Sequence, residues 1–198
     1  MNVPNKITLC RIFLSIFLLI IMIFPLNKLG INFPEFGINN GNMIISTKSI
    51  ICGIIFLVAA LTDFLDGYLA RKYNLVTDTG KVMDAIADKI LVNGVLILLA
   101  TSNYISPVIP VVIVCRDIFV DSIKMVVGSK SSAVAASITG KVKTAIMLTG
   151  ITLLFFHDLP LSLINIKLSG ALILIATILS VISGIEYYLK NKKFLVIK

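Results

Sequence analysis

Apolar and polar positions in this chain fall in long blocks, as in "IFLSIFLLIIMIF" (residues 12–24) and "IICGIIFLVAAL" (residues 50–61). A helix that crosses a bilayer needs about 20 mostly apolar residues. Windows of that kind predict six helices, at 7–26, 48–69, 84–101, 106–127, 141–157 and 168–189. The breaks between them carry turn residues: Pro25 with "FPEFGINNGN", "TSNYISP" with Pro107, "GSKSSAVAAS" and "HDLP". The expectation is an all-α integral membrane protein with six transmembrane helices, joined by short loops in one domain over residues 1–198.

Composition agrees with the pattern. Hydrophobic residues make up 58% of the chain and charged ones 14%, and the mean hydropathy of +1.02 lies far from that of a soluble domain. The first apolar block is too long for a signal peptide and is followed by no small-residue cleavage site, so it reads as the first span. Cys10, Cys52 and Cys115 are far apart in apolar segments, which suggests neither a disulfide framework nor a zinc site.

A net charge of +8 could point to nucleic acid, but its distribution points to a membrane. With the N-terminus inside, the inner side collects Lys6, Arg11, Arg71, Lys72, Lys81, Lys124, Lys130, Lys141, Lys143, Lys190, Lys192, Lys193 and Lys198. The outer side keeps Lys28, Lys48 and Lys167. Cytoplasmic loops are enriched in Lys and Arg, so both termini are expected in the cytoplasm, with the basic face toward anionic lipid and no nucleic-acid partner.

That topology brings the end of the second helix and the start of the third to the same side. There the stretch "DFLDGYLARKYNLVTDTGKVMDAIAD" holds Asp63, Asp66, Asp84 and Asp88. Each pair is spaced to share a helix face, and like charges near a bilayer are costly. The nearby basic residues look too few and too peripheral to pair all four. One or two divalent cations would neutralise them, and all-oxygen ligation without His or Cys favours magnesium or manganese. Gly67, Ala70 and Gly80 keep space open for close backbone approach, and Arg71 offers a fork of donors for phosphate. The combination suggests a metal-bridged diphosphate site.

Read as D63-x2-D66-G67-x2-A70-R71-x8-G80-x3-D84-x3-D88, the stretch resembles the signature of the CDP-alcohol phosphatidyltransferases. The resemblance implies a six-helix membrane enzyme, often a homodimer, with two magnesium or manganese ions held by Asp63, Asp66, Asp84 and Asp88. It further implies Asp88 as general base and Gly67, Ala70, Arg71 and Gly80 around the nucleotide and diphosphate of a CDP-linked lipid. The opening "MNVPNKITLCRI" is similar to the "NxPNxxTxxR" start of the branch whose acceptor is glycerol 3-phosphate, matching at Asn2, Pro4, Asn5, Thr8 and Arg11. Asn5 and Thr8 are thereby assigned to the CDP-lipid site. "VCRDIFVDSIKMVVGSKSSAVAASITGKVKT" and "ISGIEYYLKN" resemble later parts of that branch.

The implied reaction moves the phosphatidyl group of CDP-diacylglycerol to glycerol 3-phosphate at the cytoplasmic face of a bacterial plasma membrane. Other acceptors of the family are phosphatidylglycerol, inositol phosphate and serine. Arg116 lies in an apolar segment where a charge needs a partner or a task. Its neighbours Asp117 and Asp121 fit poorly as simple ion-pair partners, since neighbours in sequence point in different directions. With Lys124 two turns on and Lys141 and Lys143 opening the fifth helix, Arg116 is expected to bind the acceptor phosphate. The chain departs from the branch at Ala85, Asp117 and Lys124, where Pro, Glu and Arg are expected. His157 is expected in an outer interfacial loop, and Glu186 with Tyr187 and Tyr188 at the inner interface. A small cation transporter is the reading from a different class, since intramembrane carboxylates also mark ion pathways.

Overall fold

The computed structural model describes residues 2–25, 30, 33–38, 43–73, 75–130, 138–159 and 167–195. Six helices follow one another among them: α1 (Val3–Ile23), α2 (Thr47–Lys72), α3 (Asp78–Thr101), α4 (Val108–Lys130), α5 (Ile138–Phe155) and α6 (Leu168–Leu195). Between α1 and α2 lies a hairpin that the block pattern does not anticipate. Its strands, β1 (Glu35–Ile38) and β2 (Met43–Ser46), pair antiparallel with Phe36 opposite Ile45 and Gly37 opposite Ile44. Four-residue strands are too short to register as an alternating pattern, and the buried side chain of Ile45 ties the hairpin to the rest of the structure.

The helix ends differ from the expected ones for identifiable reasons. Helix α1 starts at Val3, four residues early, because Pro4 is well placed in a first turn where its missing N–H costs nothing. It stops at Ile23 because Phe24 precedes Pro25 and is driven to extended backbone. The ammonium of Lys48 then donates to the carbonyls of Met22 (3.3 Å) and Phe24 (3.2 Å), groups left open at a helix end.

Helix α3 starts at Asp78 instead of 84. Thr77 caps it by accepting the Gly80 N–H at 3.1 Å, and Asp78 sits in the positively polarised first turn. Asp78 also accepts from the Lys81 ammonium at 2.8 Å, which holds its carboxyl below the usual range. Asp84 therefore stands well inside α3. So does Ala85, where proline would have removed an interior backbone donor.

Helix α1 packs on α2 and α3, α6 packs on α4 and α5, and the pairs α2–α5 and α3–α4 join the two groups. The joint is an apolar cluster that includes Leu18, Phe56, Leu91, Val95, Ile113, Met147, Ile151, Phe155 and Ile173. A smaller cluster of Val120, Ile123, Val127 and Tyr187 lies between α4 and α6. Cys52 is buried in the main cluster, Cys10 and Cys115 are exposed, and all three are free thiols. Large apolar side chains also cover the outside, among them Phe13, Phe17, Ile54, Phe64, Val111, Ile118 and Ile178. Helices α1, α2 and α6 are long and apolar enough to cross a bilayer. An exterior of this kind belongs in lipid, and the chain is a membrane protein.

Close helix packing in lipid relies on small residues. A Cβ on Gly150 of α5 would stand 2.9 Å from Ile173 Cγ1 and 3.2 Å from the Ile173 backbone nitrogen of α6. Nothing lies within 4 Å of a Cβ built on Gly170. Gly150→Val is therefore expected to lower stability by about 1–3 kcal/mol, read as a drop in the unfolding temperature in detergent, while Gly170→Val changes it far less.

Candidate active site

The ends of α1, α2 and α3 meet around one side chain, Arg11, which is completely buried. Its guanidinium reaches all four aspartates. Nη1 donates to Asp63 and, at 3.0 Å, to Asp88. Nη2 donates to Asp84 and, at 3.3 Å, to Asp66. The expectation that basic residues are too peripheral to meet the four carboxylates is thus corrected, although one positive charge still leaves the cluster net acidic. One arginine meets all four, because its planar fork can face several acceptors at once, and because it comes from α1, remote in sequence from the aspartates.

Around that centre the cluster is graded. Asp66 is buried and accepts a second bond, at 2.8 Å, from the Thr8 hydroxyl one turn before Arg11 on α1. The side chains of Asp63, Asp84 and Asp88 keep 36%, 48% and 49% of their exposure, so the cluster has a sealed floor and an open mouth. Carboxylate oxygens of Asp63, Asp66 and Asp84 lie within 4.8 Å of one another. Three hard oxygen donors this close, with Asp88 joined through the same guanidinium, fit magnesium or manganese.

Beside the carboxylates runs a cleft lined by Asn5, Thr8, Asp66, Gly67, Ala70, Thr77, Gly80, Lys81 and Asp84, with Pro4, Leu75 and Val76. It brings together Asn5 and Thr8 of α1, Gly67 and Ala70 of α2, and Gly80 of α3. Asn5 Nδ2 donates to Thr77 Oγ1 at 3.1 Å, tying the start of α1 to the cap of α3. A Cβ on Gly80 would fall 2.6 Å from Asn5 Oδ1 and 2.9 Å from Thr77 Oγ1, so glycine here makes room for that tie. Arg71 belongs to the last turn of α2, and its side chain lies outside the described residues.

The cationic residues of the second half separate into two groups, which changes the expected cluster of Arg116, Lys124 and Lys141. In the first, Arg116 Nη1 and Lys143 Nζ both donate to Asp117 Oδ1 at 3.0 Å. Arg116 also bonds the Ser180 carbonyl (3.0 Å) and Ser183 Oγ (2.6 Å), and Lys143 bonds Ser180 Oγ (3.2 Å). Asp117 thus does serve Arg116, contrary to expectation, since the long arginine stem bends back to its neighbour while anchored on α6. In the second group Asp121 accepts from Lys124 at 3.2 Å and from Lys89 of α3. Lys141 is exposed and makes no ion pair among the described residues.

Four residues escape sequence reasoning: Arg11 as the centre of the carboxylates, Lys89 as the link from α3 to α4, and Ser180 and Ser183 as the anchor on α6. Arg11 left a signal, a charge inside an apolar block. The serines left none. Elsewhere, Glu186 accepts from Thr139 at 2.6 Å, and Tyr187 is buried whereas Tyr188 is exposed. His157 and Asp158 take positive φ at the corner between α5 and α6. His157 meets Tyr104 edge-on, and Asp158 accepts the backbone N–H of Ser169 at 2.7 Å and its hydroxyl at 2.8 Å.

Comparison with known proteins places this geometry. The family described as CDP-alcohol phosphatidyltransferase matches residues 1–182. A protein of Bacillus subtilis named CDP-diacylglycerol–glycerol-3-phosphate 3-phosphatidyltransferase is 36% identical over 190 residues, 96% of this chain and 95% of that one. Proteins of the same name from Rickettsia felis and Mycoplasma genitalium are 32% and 35% identical, over 98% and 76% of this chain and 97% and 63% of theirs. With the carboxylate signature gathered at one site and the match running through most of its length, the chain belongs to the CDP-alcohol phosphatidyltransferase family.

Proposed function

We propose that this enzyme transfers the phosphatidyl group of CDP-diacylglycerol to glycerol 3-phosphate, giving phosphatidylglycerophosphate and CMP. The observation that carries the reading is the set of four aspartates on α2 and α3 drawn to one point beside an open cleft. The relatives' names supply the acceptor.

In this reading Asp63, Asp66, Asp84 and Asp88 would hold two magnesium or manganese ions, which would supply positive charge to offset that of the phosphate and of CMP. The cleft lined by Asn5, Thr8, Gly67, Ala70 and Gly80 takes the nucleotide end, and Arg71 is assigned to the same substrate by its place in the carboxylate signature. Asp88, half exposed at the mouth, accepts the proton of the acceptor hydroxyl while that oxygen bonds to phosphorus and the bond to the CMP oxygen breaks. Arg116 and Lys143, with Lys124 and Lys141 nearer the water, receive the acceptor phosphate. Buried Lys143 and partly buried Arg116 share one carboxylate there, which leaves positive charge for an anion.

The same reading gives one domain, six spans with both termini in the cytoplasm, an active site facing the cytoplasm of a bacterial cell, and assembly as a homodimer in the plasma membrane. The distribution of Lys and Arg supports the orientation.

Three outcomes test it. Purified protein with CDP-diacylglycerol and magnesium should release CMP with glycerol 3-phosphate and lose that activity in EDTA. Release only with phosphatidylglycerol, inositol phosphate or serine would replace the acceptor, and divalent-ion flux across proteoliposomes without CMP release would replace the reaction. Asp88→Asn should lower kcat by about 10²–10⁴-fold, the usual worth of a general base, with CDP-lipid binding largely kept. Arg116→Ala or Lys124→Ala should raise KM for glycerol 3-phosphate about tenfold or more, since a hydrogen bond to a charged group is worth about 1.5–3 kcal/mol. KM for the lipid should stay near its starting value, and an equal rise in both would argue against an acceptor-phosphate role.

A further inference from the structure

We propose that Arg11 is a built-in counter-cation of the carboxylate cluster: it assembles the four aspartates before metal arrives, and metal loading displaces its guanidinium from them. The inference rests on the reading of Asp63, Asp66, Asp84 and Asp88 as the divalent-ion site, and concerns what α1 contributes to that site.

Three observations carry it. First, the Arg11 side chain has no exposure, and its two terminal nitrogens face all four carboxylates, so no other cation among the described residues shares them. Second, the side chains it bonds include the three whose oxygens lie within 4.8 Å of one another. Where an oxygen held by the guanidinium is also to ligate a metal ion, the two compete for it, because each needs it at bonding distance. Third, the Arg11 Nε is buried without an acceptor. Its carboxylate bonds all run through Nη1 and Nη2, so a swing of the guanidinium releases the aspartates without stripping a bond from Nε.

The physical chemistry then leaves one route. Arginine does not deprotonate in proteins, so its charge can leave the carboxylates only by moving. Four negative charges against one positive leave the cluster acidic enough to attract a divalent ion, while the single arginine keeps the repulsion between α2 and α3 in check until the ion binds. Arg11 is therefore a positioning residue, and its presence makes metal binding weaker than the bare carboxylates would allow.

The test is Mn²⁺ binding to the detergent-solubilised full chain at mildly alkaline pH, followed by electron paramagnetic resonance, for the wild type, Arg11→Met and Arg11→Lys. Displacement predicts that Arg11→Met binds Mn²⁺ about tenfold or more tightly than the wild type, with Arg11→Lys between them because an ammonium meets fewer carboxylates at once. It also predicts a lower unfolding temperature in EDTA for Arg11→Met and a larger rise on adding Mn²⁺. A merely structural arginine would weaken metal binding when removed. Equal or weaker affinity in the variants, with the wild type binding Mn²⁺, would overturn displacement and leave the metal site standing. No Mn²⁺ binding by the wild type would overturn the metal site itself. Where Arg11→Met does not fold, the direction of the shift in Arg11→Lys decides.

Discussion

Four carboxylates within reach of one another repel, and Asp66, sealed at the floor of the cluster, has little water to weaken the repulsion. The guanidinium of Arg11 answers that constraint by bonding all four from a fully buried position. The arrangement of the first three helices follows from it. Helix α1 must lie in the groove between α2 and α3, and Thr8 must face Asp66. Asn5, one turn further back, then reaches the Thr77 cap of α3. A polar stripe of Asn5, Thr8, Arg11 and Ser15 along one face of α1 is what this otherwise apolar helix contributes to the site. Ser15 closes the stripe by donating to the Arg11 carbonyl at 2.8 Å.

The other three helices treat charge in the same way, on a smaller scale. Asp117 and Asp121 each hold two cations, and both carboxylates stand on α4. Asp117 joins Lys143 of α5 to Arg116, which is itself anchored on the Ser180 and Ser183 positions of α6. Asp121 joins Lys124 to Lys89 of α3. Polar groups at the helix crossings thus do for this half what Arg11 does for the other, and Lys89 links the two one residue from Asp88. Between these polar ends the halves meet through the apolar cluster of Phe56, Val95, Ile113, Ile151 and Ile173. The charged sites are therefore carried on a rigid apolar frame.

Much of this was legible in the chain. Six apolar blocks match six helices in order, three of them long and apolar enough to cross a bilayer, and the breaks between them are polar or contain proline. The paired spacings of the aspartates, and the small residues between them, pointed to a shared face and an open cleft. Errors concentrated where local capping decides. The start of α3 moved to Asp78 because Thr77 caps it, and the hairpin of β1 and β2 was hidden by its shortness.

Sequence by itself determined the helices, the acidic signature and its chemical class, because hydropathy and spacing along one element are local properties. Tertiary structure alone decided which cation meets which carboxylate. Arg11 lies 52 residues before Asp63 and 77 before Asp88, and Lys89 lies 32 before Asp121. Such partners are chosen by how helices pack, and a long, flexible basic side chain can reach back to a neighbour, as Arg116 does to Asp117, or across to another helix. Spacing along the chain constrains neither choice.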